Sequence, residues 1–420
     1  MKKIIHLVFV FLFILGFSQK IIDTTQIVIP NRVNAEITKS KPYVILISAD
    51  GFRYDYLQKY KATKLIALAK DNVWAKEGMY PSYPSITFPN HYSIITGLYP
   101  SHHGIVDNIF YDPKRGEMYK IGSETVKDGS WYGGLPLWGL AENQGVLAAS
   151  LLWVGSESNA GGTRPTYYYP YHEKFNGDDK ARIVKNWLQL PEEKRPHFIS
   201  LYFPEVDAAG HHFGPDSKET EQAVNFVDAS IGKLINELKP LNLPINFVFV
   251  SDHGMMKIDQ NYLAVPEIDR DKFVVVNSNT FVRITAKNEK DISELYASLK
   301  KNASHDYKVV LDKRFPRKLK YSSREDQLRR IGDILLIPNA PKVFADAGKK
   351  VSIGKHGYSP YKTPEMKASF IAWGPAFEKQ NMIKPFGNVN IYPMIAEILN
   401  LKITQPIDGN AKVLNKILKK

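Results

Sequence analysis

Three unbroken apolar runs, each leading to an aspartate, restrict the fold of this chain more than any other feature. Tyr43-Val44-Ile45-Leu46-Ile47-Ser48-Ala49 ends at Asp50, and Phe247-Val248-Phe249-Val250-Ser251 ends at Asp252. Phe198-Ile199-Ser200-Leu201-Tyr202-Phe203 is followed shortly by Asp207. A strand with one wet face alternates apolar and polar residues, so runs of this kind fit strands buried on both faces of a parallel sheet. Helical patterns lie between them. Lys180 to Leu190 places Ile183, Val184, Trp187 and Leu188 on one side. Lys218 to Leu238 places Ala223, Val224, Val227, Ile231, Leu234 and Leu238 on one stripe, with Pro240 closing it. Strands alternating with helices predict an α/β fold, a mostly parallel sheet with helices on both faces. Ligands gather beyond the carboxyl ends of such strands, where Asp50, Asp207 and Asp252 fall.

Composition narrows the chemistry. The 420 residues contain no cysteine, which excludes a disulfide scaffold, a zinc ribbon, an iron–sulfur cluster and a thiol nucleophile. Any metal site must therefore be built from His and carboxylates. Lys2 and Lys3 precede an apolar run from Ile4 to Phe17, with Gly16 and Ser18 at the −3 and −1 positions before Gln19. That run is short for a spanning helix of about 20 residues, so residues 1–18 are expected to be a cleaved signal peptide. The mature protein is then exported, periplasmic or secreted, with no stable membrane span. Loss of Lys2 and Lys3 lowers the formal charge from +13 to +11. Such an excess steers anionic ligands inward. Lysines crowded into 412–420 and 288–320 explain it equally well as a solvated surface, and no nucleic-acid partner is read from it.

The ligand inventory is compact. Asp207 and His211 stand four apart, and Asp252-His253 is followed by Gly254, which permits a tight turn. His356 sits between Lys355 and Gly357, and Asp50 completes a set of six Asp and His ligands. Taken singly, each has an ordinary structural use. Jointly they suit two divalent ions, most naturally zinc, with about three or four ligands each. A hydroxyl nucleophile is also in place. Pro89 suits the first turn of a helix running through Ile94 and Ile95 to Gly97, which sets Thr87 at its N-terminus. Free N–H groups and the helix dipole favour an anion there. Thr87 could instead be a plain N-cap, and Ser85 could serve in either role.

Thr87-Phe88-Pro89-Asn90-His91-Tyr92, Thr96 to Pro100 and His103-Gly104-Ile105-Val106-Asp107-Asn108 resemble the nucleophile region of the nucleotide pyrophosphatases/phosphodiesterases, in the alkaline phosphatase superfamily. Ser48 to Gly51, Asp207 to His211 with Gly214-Pro215, Ser251 to Met255, Gly354 to Tyr358 and Pro406 to Gly409 continue the resemblance in family order. It implies an alkaline-phosphatase-like α/β fold with Thr87 as nucleophile. Asp50, Thr87, Asp252 and His253 would hold one zinc ion, and Asp207, His211 and His356 the second. Asn108 would donate to a phosphate oxygen. Phe88 and Tyr202, with an aromatic near Tyr171 or Phe175, would line the leaving-group or base pocket. Trp153 and Glu157 fall where the family has further nucleoside contacts, although Glu stands here where a nucleotide-selective member has Asp. His91, His102, His103 and His212 are read as structural.

The expected activity is hydrolysis of a small phosphodiester, a nucleotide first, through a phosphothreonyl intermediate. No Arg is evident near Thr87 and Asn108 is neutral, which favours a monoanionic diester over a dianionic monoester, unless Arg53 or Lys120 folds inward. Phospholipid head groups of choline or glycerol type are the alternative substrate, and a non-catalytic exported binding protein on the same scaffold is the other reading. The expected division is a catalytic α/β domain at 40–270 and 351–410, interrupted at 271–350 by an α+β insertion. Within the insertion, Val274–Val276, Phe281–Ile284 and Ile334–Ile337 are expected as strands and Asp291–Lys300 as a helix, before the main sheet resumes at Ser369–Trp373.

Overall fold

The computed structural model describes residues 24–419; the expected signal peptide lies outside them. The main-sheet strands of the first half are β1 (Ile27–Val28), β2 (Tyr43–Ala49), β3 (Val73–Trp74), β4 (Ala148–Leu151), β5 (Tyr167–Tyr169), β6 (Phe198–Phe203) and β7 (Ile245–Val250). A second group comprises β8 (Phe273–Asn277), β9 (Val282–Ala286), β10 (Tyr307–Leu311) and β11 (Ile334–Pro338). The chain then returns to the main sheet as β12 (Phe370–Trp373) and β13 (Asn381–Met382). The nine-stranded sheet runs β1-β5-β4-β6-β2-β7-β12-β3-β13. Its centre is parallel: β2 pairs with β6 on one side and β7 on the other, while β12 lies antiparallel to β7.

Double-sided burial explains the unbroken apolar runs. In β2, Val44 and Leu46 join the core on one face, and Tyr43, Ile45, Ile47 and Ala49 join the core on the other. The second face is covered by α2 (Gly177–Leu188) and α4 (Lys218–Leu238), through Ile183, Val184, Trp187, Val224, Val227, Ile231 and Leu234. The first face is covered in part by α1 (Thr87–Thr96), through Tyr92, Ile94 and Ile95. Ser48 is the polar exception inside β2, and its Oγ meets His91 Nε2 of α1 at 2.8 Å. The fold is thus the expected alkaline-phosphatase-like α/β architecture.

Register aligns the ends of three strands. Ala49 pairs with Phe203, and Ser48 pairs with both Tyr202 and Val250. Asp50 therefore leaves β2 beside Asp252, which follows β7, and beside α3 (Glu205–Phe213), whose first turn carries Asp207 and whose last turn carries His211. Residues 273–338 form a separate antiparallel sheet, ordered β8-β9-β11-β10, with a helix at Ile292–Asn302. The chain leaves this edge at Met256–Lys257 and returns antiparallel to it at Gly354–Lys355, one residue before His356. That pairing lets a long excursion begin and end at one place, so His253 and His356 become neighbours.

At this edge Gly51 combines a left-handed φ of +66° with a close approach, since a Cβ would lie 2.9 Å from Asp207 Cα. Gly116 has a similar φ of +70° with nothing within 4 Å. Alanine at Gly116 is expected to cost about 1–2 kcal/mol for the left-handed backbone alone. Gly51→Ala should lose more, as a larger drop in thermal midpoint by circular dichroism; equal drops would contradict the close packing of Gly51 against Asp207.

Candidate active site

Six charged or titratable side chains converge where the three strands end. Asp50, Asp252 and His253 form one group whose ligand atoms all lie within 4.8 Å of one another, and Asp207, His253 and His356 form another. His253 Nε2 is 3.0 Å from Asp252 Oδ2 and 3.4 Å from Asp50 Oδ1. His211 Nε2 is 3.0 Å from His356 Nε2 and 3.4 Å from Asp207 Oδ2. The expected second set of Asp207, His211 and His356 is therefore brought together, and His253 stands at the boundary between the two sets.

Hydrogen bonding fixes the three imidazoles. His253 Nδ1 faces Gly254 O at 2.9 Å, His211 Nδ1 faces Gly354 O at 2.8 Å, and His356 Nδ1 faces Ser85 O at 2.8 Å. A carbonyl oxygen only accepts, so each Nδ1 carries the hydrogen, and a ring without a second proton presents a lone pair at Nε2. Those lone pairs point at carboxylates and, for His211 and His356, at each other. Asp50 Oδ1, Asp207 Oδ1 and Asp252 Oδ2 are buried without a hydrogen-bond partner among the described residues.

Protons relieve this conflict only in part. Burial pulls His253 down, but Asp252 and Asp207 outweigh it and raise that imidazole. Burial, then His253 and His211, pushes His356 well below the usual imidazole range. Burial, then Asp252 and Asp207, pushes the Asp50 carboxyl well above the usual range. Burial pulls Asp252 upward, but His253 and His91 overcome it and hold that carboxyl at about 2. Acceptor atoms of oxygen and imidazole nitrogen, crowded and unpaired, are a donor set for divalent cations.

Surrounding groups aim the cluster. Tyr202 Oη donates to Asp50 Oδ2 at 2.6 Å, and Gly51 N–H donates to Asp252 Oδ1 at 3.2 Å. His91 Nδ1 lies 3.0 Å from Thr87 O and 3.4 Å from Asp252 Oδ2. His91 is structural, as expected, yet its support of Asp252 went unread in the sequence. Its i, i+4 spacing from Thr87 on one helix face was the available signal.

Thr87 is not a cap. Ile86 occupies the N-cap position of α1 with no side-chain cap bond, and Thr87 Oγ1 turns to His253 Nε2 at 3.2 Å. It opens into a cavity of about 700 Å3, lined also by Phe88, Asn108, Trp153, Glu157, Tyr171, Tyr202, Asp50, Asp207, His211 and His356. Asn108 Oδ1 accepts from Phe88 N–H at 3.0 Å, which orients the amide and leaves its NH2 as the donor. Tyr171, not Phe175, reaches the cavity; Phe175 packs against Tyr169 and His172. Glu157 accepts from Tyr171 N–H at 2.7 Å and so holds the aromatic wall rather than facing the cavity freely. Part of the remaining wall, Ile121 to Glu124 with Val126 and Lys127, was not foreseen, because short 3₁₀ turns carry no hydrophobic period.

The profile of the type I phosphodiesterase / nucleotide pyrophosphatase family matches residues 44–359, which include every residue of this cluster. The chain belongs to that family. It is 37% identical over 390 residues to an uncharacterised pyrophosphatase/phosphodiesterase of Schizosaccharomyces pombe, covering 87% of this chain and 78% of that protein. Ectonucleotide pyrophosphatase/phosphodiesterase family member 3 of Bos taurus is 33% identical over 90% of this chain and 44% of its own length. Venom phosphodiesterase CdcPDE of Crotalus durissus collilineatus is 34% identical over 90% of this chain and 46% of its own length. This chain thus spans less than half of the mammalian and venom relatives it matches. Murine ectonucleotide pyrophosphatase/phosphodiesterase 5 shares the fold, with a TM-score of 0.82 at 26% identity over 90% of this chain and 100% of that one. An inactive variant of that protein has been solved in complex with AMP. The family is one of type I phosphodiesterases and nucleotide pyrophosphatases. No helix of the described residues is long and apolar enough to cross a membrane.

A cluster of this kind should be unstable when emptied. Chelation followed by gel filtration is expected to lower the thermal midpoint, and a divalent cation should restore it. The stabilisation should reach about 4 kcal/mol at a thousandfold excess over Kd. An unchanged midpoint would contradict the assignment of these residues to a cation site.

Proposed function

We propose that the chain is an exported zinc-dependent phosphodiesterase and nucleotide pyrophosphatase that works through a phosphothreonyl intermediate on Thr87. The observation that carries this reading is the placement of Thr87 Oγ1: uncapped, 3.2 Å from His253 Nε2 and open to an aromatic cavity. In this reading the catalytic domain is 40–270 with 351–410, and 271–350 is an insertion. When bound, zinc ions held by Asp50, Thr87, Asp252 and His253, and by Asp207, His211 and His356, would supply positive charge that eases loss of the Thr87 proton and offsets charge on the phosphate oxygens.

The chain's own groups then divide the work. Thr87 gives its Oγ1 proton to water as Oγ1 bonds to phosphorus, the bond to the leaving oxygen breaks, and that oxygen takes a proton from water. Asn108 NH2 donates to a non-bridging oxygen, and its own Oδ1 is committed to Phe88 N–H, so it cannot turn away. Water next attacks the same phosphorus, the Thr87 Oγ1–P bond breaks as Oγ1 regains a proton from that water, and a phosphomonoester leaves. Phe88, Trp153, Tyr171 and Tyr202 offer flat faces to a base or leaving group.

Charge around the cavity supports a diester. Lys127 is the one Lys or Arg among the described residues that line it, and it pairs with Glu124 at 3.0 Å. Arg53 turns instead to Asp55 and to Met255 O. A nucleotide is placed ahead of a choline-type head group because the acidic residues of the wall are already used. Glu157 holds Tyr171 N–H, Glu173 accepts from Tyr171 Oη at 3.0 Å, and Glu124 holds Lys127.

Thr87→Ala is expected to reduce turnover of a nucleotide p-nitrophenyl ester on the order of 10³-fold or more, with zinc content falling only in part. Wild-type turnover in that variant would remove Thr87 from the chemistry. On the zinc-loaded enzyme the same ester should outpace both p-nitrophenyl phosphate and lysophosphatidylcholine. Faster hydrolysis of lysophosphatidylcholine would instead establish a head-group enzyme.

A further inference from the structure

The second sheet reaches the cavity wall with a buried guanidinium. Arg283 of β9 donates from Nη2 to Asp107 Oδ2 at 2.6 Å, and both side chains are 2% exposed. Ser278 Oγ donates to the same oxygen. The other oxygen, Asp107 Oδ1, accepts from Asn108 N–H at 2.5 Å. Arg283 Nη2 also donates to Ile109 O, and Tyr321 Oη donates to Val106 O at 3.0 Å. Four consecutive residues, Val106 to Ile109, are thus tied directly or through Asp107 to groups drawn from residues 278–321. Arg330 repeats the device at the flanks, with Nη1 on Gly104 O at 2.9 Å and Nε on Asp112 Oδ2 at 2.8 Å.

Holding the second sheet in place does not require these charges. Phe315, Tyr321, Ile331 and Leu335 already enter the same apolar core as α1. Burying an ion pair there adds little net stability over apolar contact, but a guanidinium fork adds direction. The direction it sets runs from Arg283 through Asp107 to Asn108, and on through Asn108 Oδ1 to Phe88 N–H, beside Thr87.

We infer that Arg283 is a positioning residue for the reaction: through Asp107 it holds Asn108 at the distance from Thr87 that the transferring phosphate needs. The inference rests on the reading of Asn108 as a phosphate contact. It gives residues 271–350 a part in catalysis although Arg283 touches no substrate.

A double-mutant cycle on a nucleotide p-nitrophenyl ester tests it, with zinc content and thermal midpoint measured on every variant. Asn108→Ala should lower kcat about 100-fold, the cost of one oxyanion donor. Arg283→Met should lower kcat on the order of tenfold through misplacement, with a smaller change in KM, at full zinc content. Arg283→Lys should recover part of that loss. In the Asn108→Ala background, Arg283→Met should change kcat by no more than about twofold, because residues acting through one group are not additive. Should Arg283→Met not fold, Ser278→Ala removes the other donor to Asp107 and runs through the same cycle. Wild-type kcat in Arg283→Met, or a loss that multiplies in full with that of Asn108→Ala, overturns the inference while leaving the reading of Asn108 intact. Wild-type kcat in Asn108→Ala overturns both.

Discussion

Everything at the catalytic edge depends on one electrostatic constraint: acceptors with nothing to accept. Asp50, Asp207 and Asp252 meet behind buried surface, and three imidazoles turn their Nε2 lone pairs toward them. Backbone carbonyls consume each Nδ1–H, so rotating a ring to donate would break a bond elsewhere. Such an arrangement is costly in an empty protein and favourable around a cation, because buried charge must be paired. The fold supplies the rigidity that keeps it from relaxing.

That rigidity comes from burial on both sheet faces. β2, β6 and β7 are locked by cores above and below, and their parallel register delivers three acidic residues to one edge. α1 brings Thr87 to the same edge from the first face and is pinned there by Ser48 and Asp252 through His91. The second sheet completes the wall from outside, with Arg283 and Arg330 reaching across to the segment that carries Asn108. The Asp/His cluster, Thr87 and Asn108 are each held by a different layer of the molecule.

Sequence legibility followed the same physics. β2, β6 and β7 were readable because two-sided burial writes unbroken apolar runs, and α4 ran over Lys218–Leu238 as its stripe predicted. β4 and β5 were not read: Ala148-Ala149-Ser150-Leu151 is too small and mild to announce a strand, and Tyr167–Tyr169 reads equally as a surface aromatic cluster. Short motifs located Thr87, Asn108 and the Asp/His set because each lies at a strand end or helix start with its own local signature. The Arg283–Asp107 pair spans 176 positions and no periodicity reveals it. Tyr202 carried two meanings, since its ring lines the cavity as expected while its hydroxyl holds Asp50.

Stereochemistry at phosphorus tests the central claim, that Thr87 takes the phosphoryl group before water does. Each in-line displacement inverts the centre, so two in succession restore it. Hydrolysis of a chiral phosphorothioate diester in isotopically labelled water should therefore proceed with net retention. Net inversion would mean that water attacks directly, and it would contradict a covalent intermediate on Thr87.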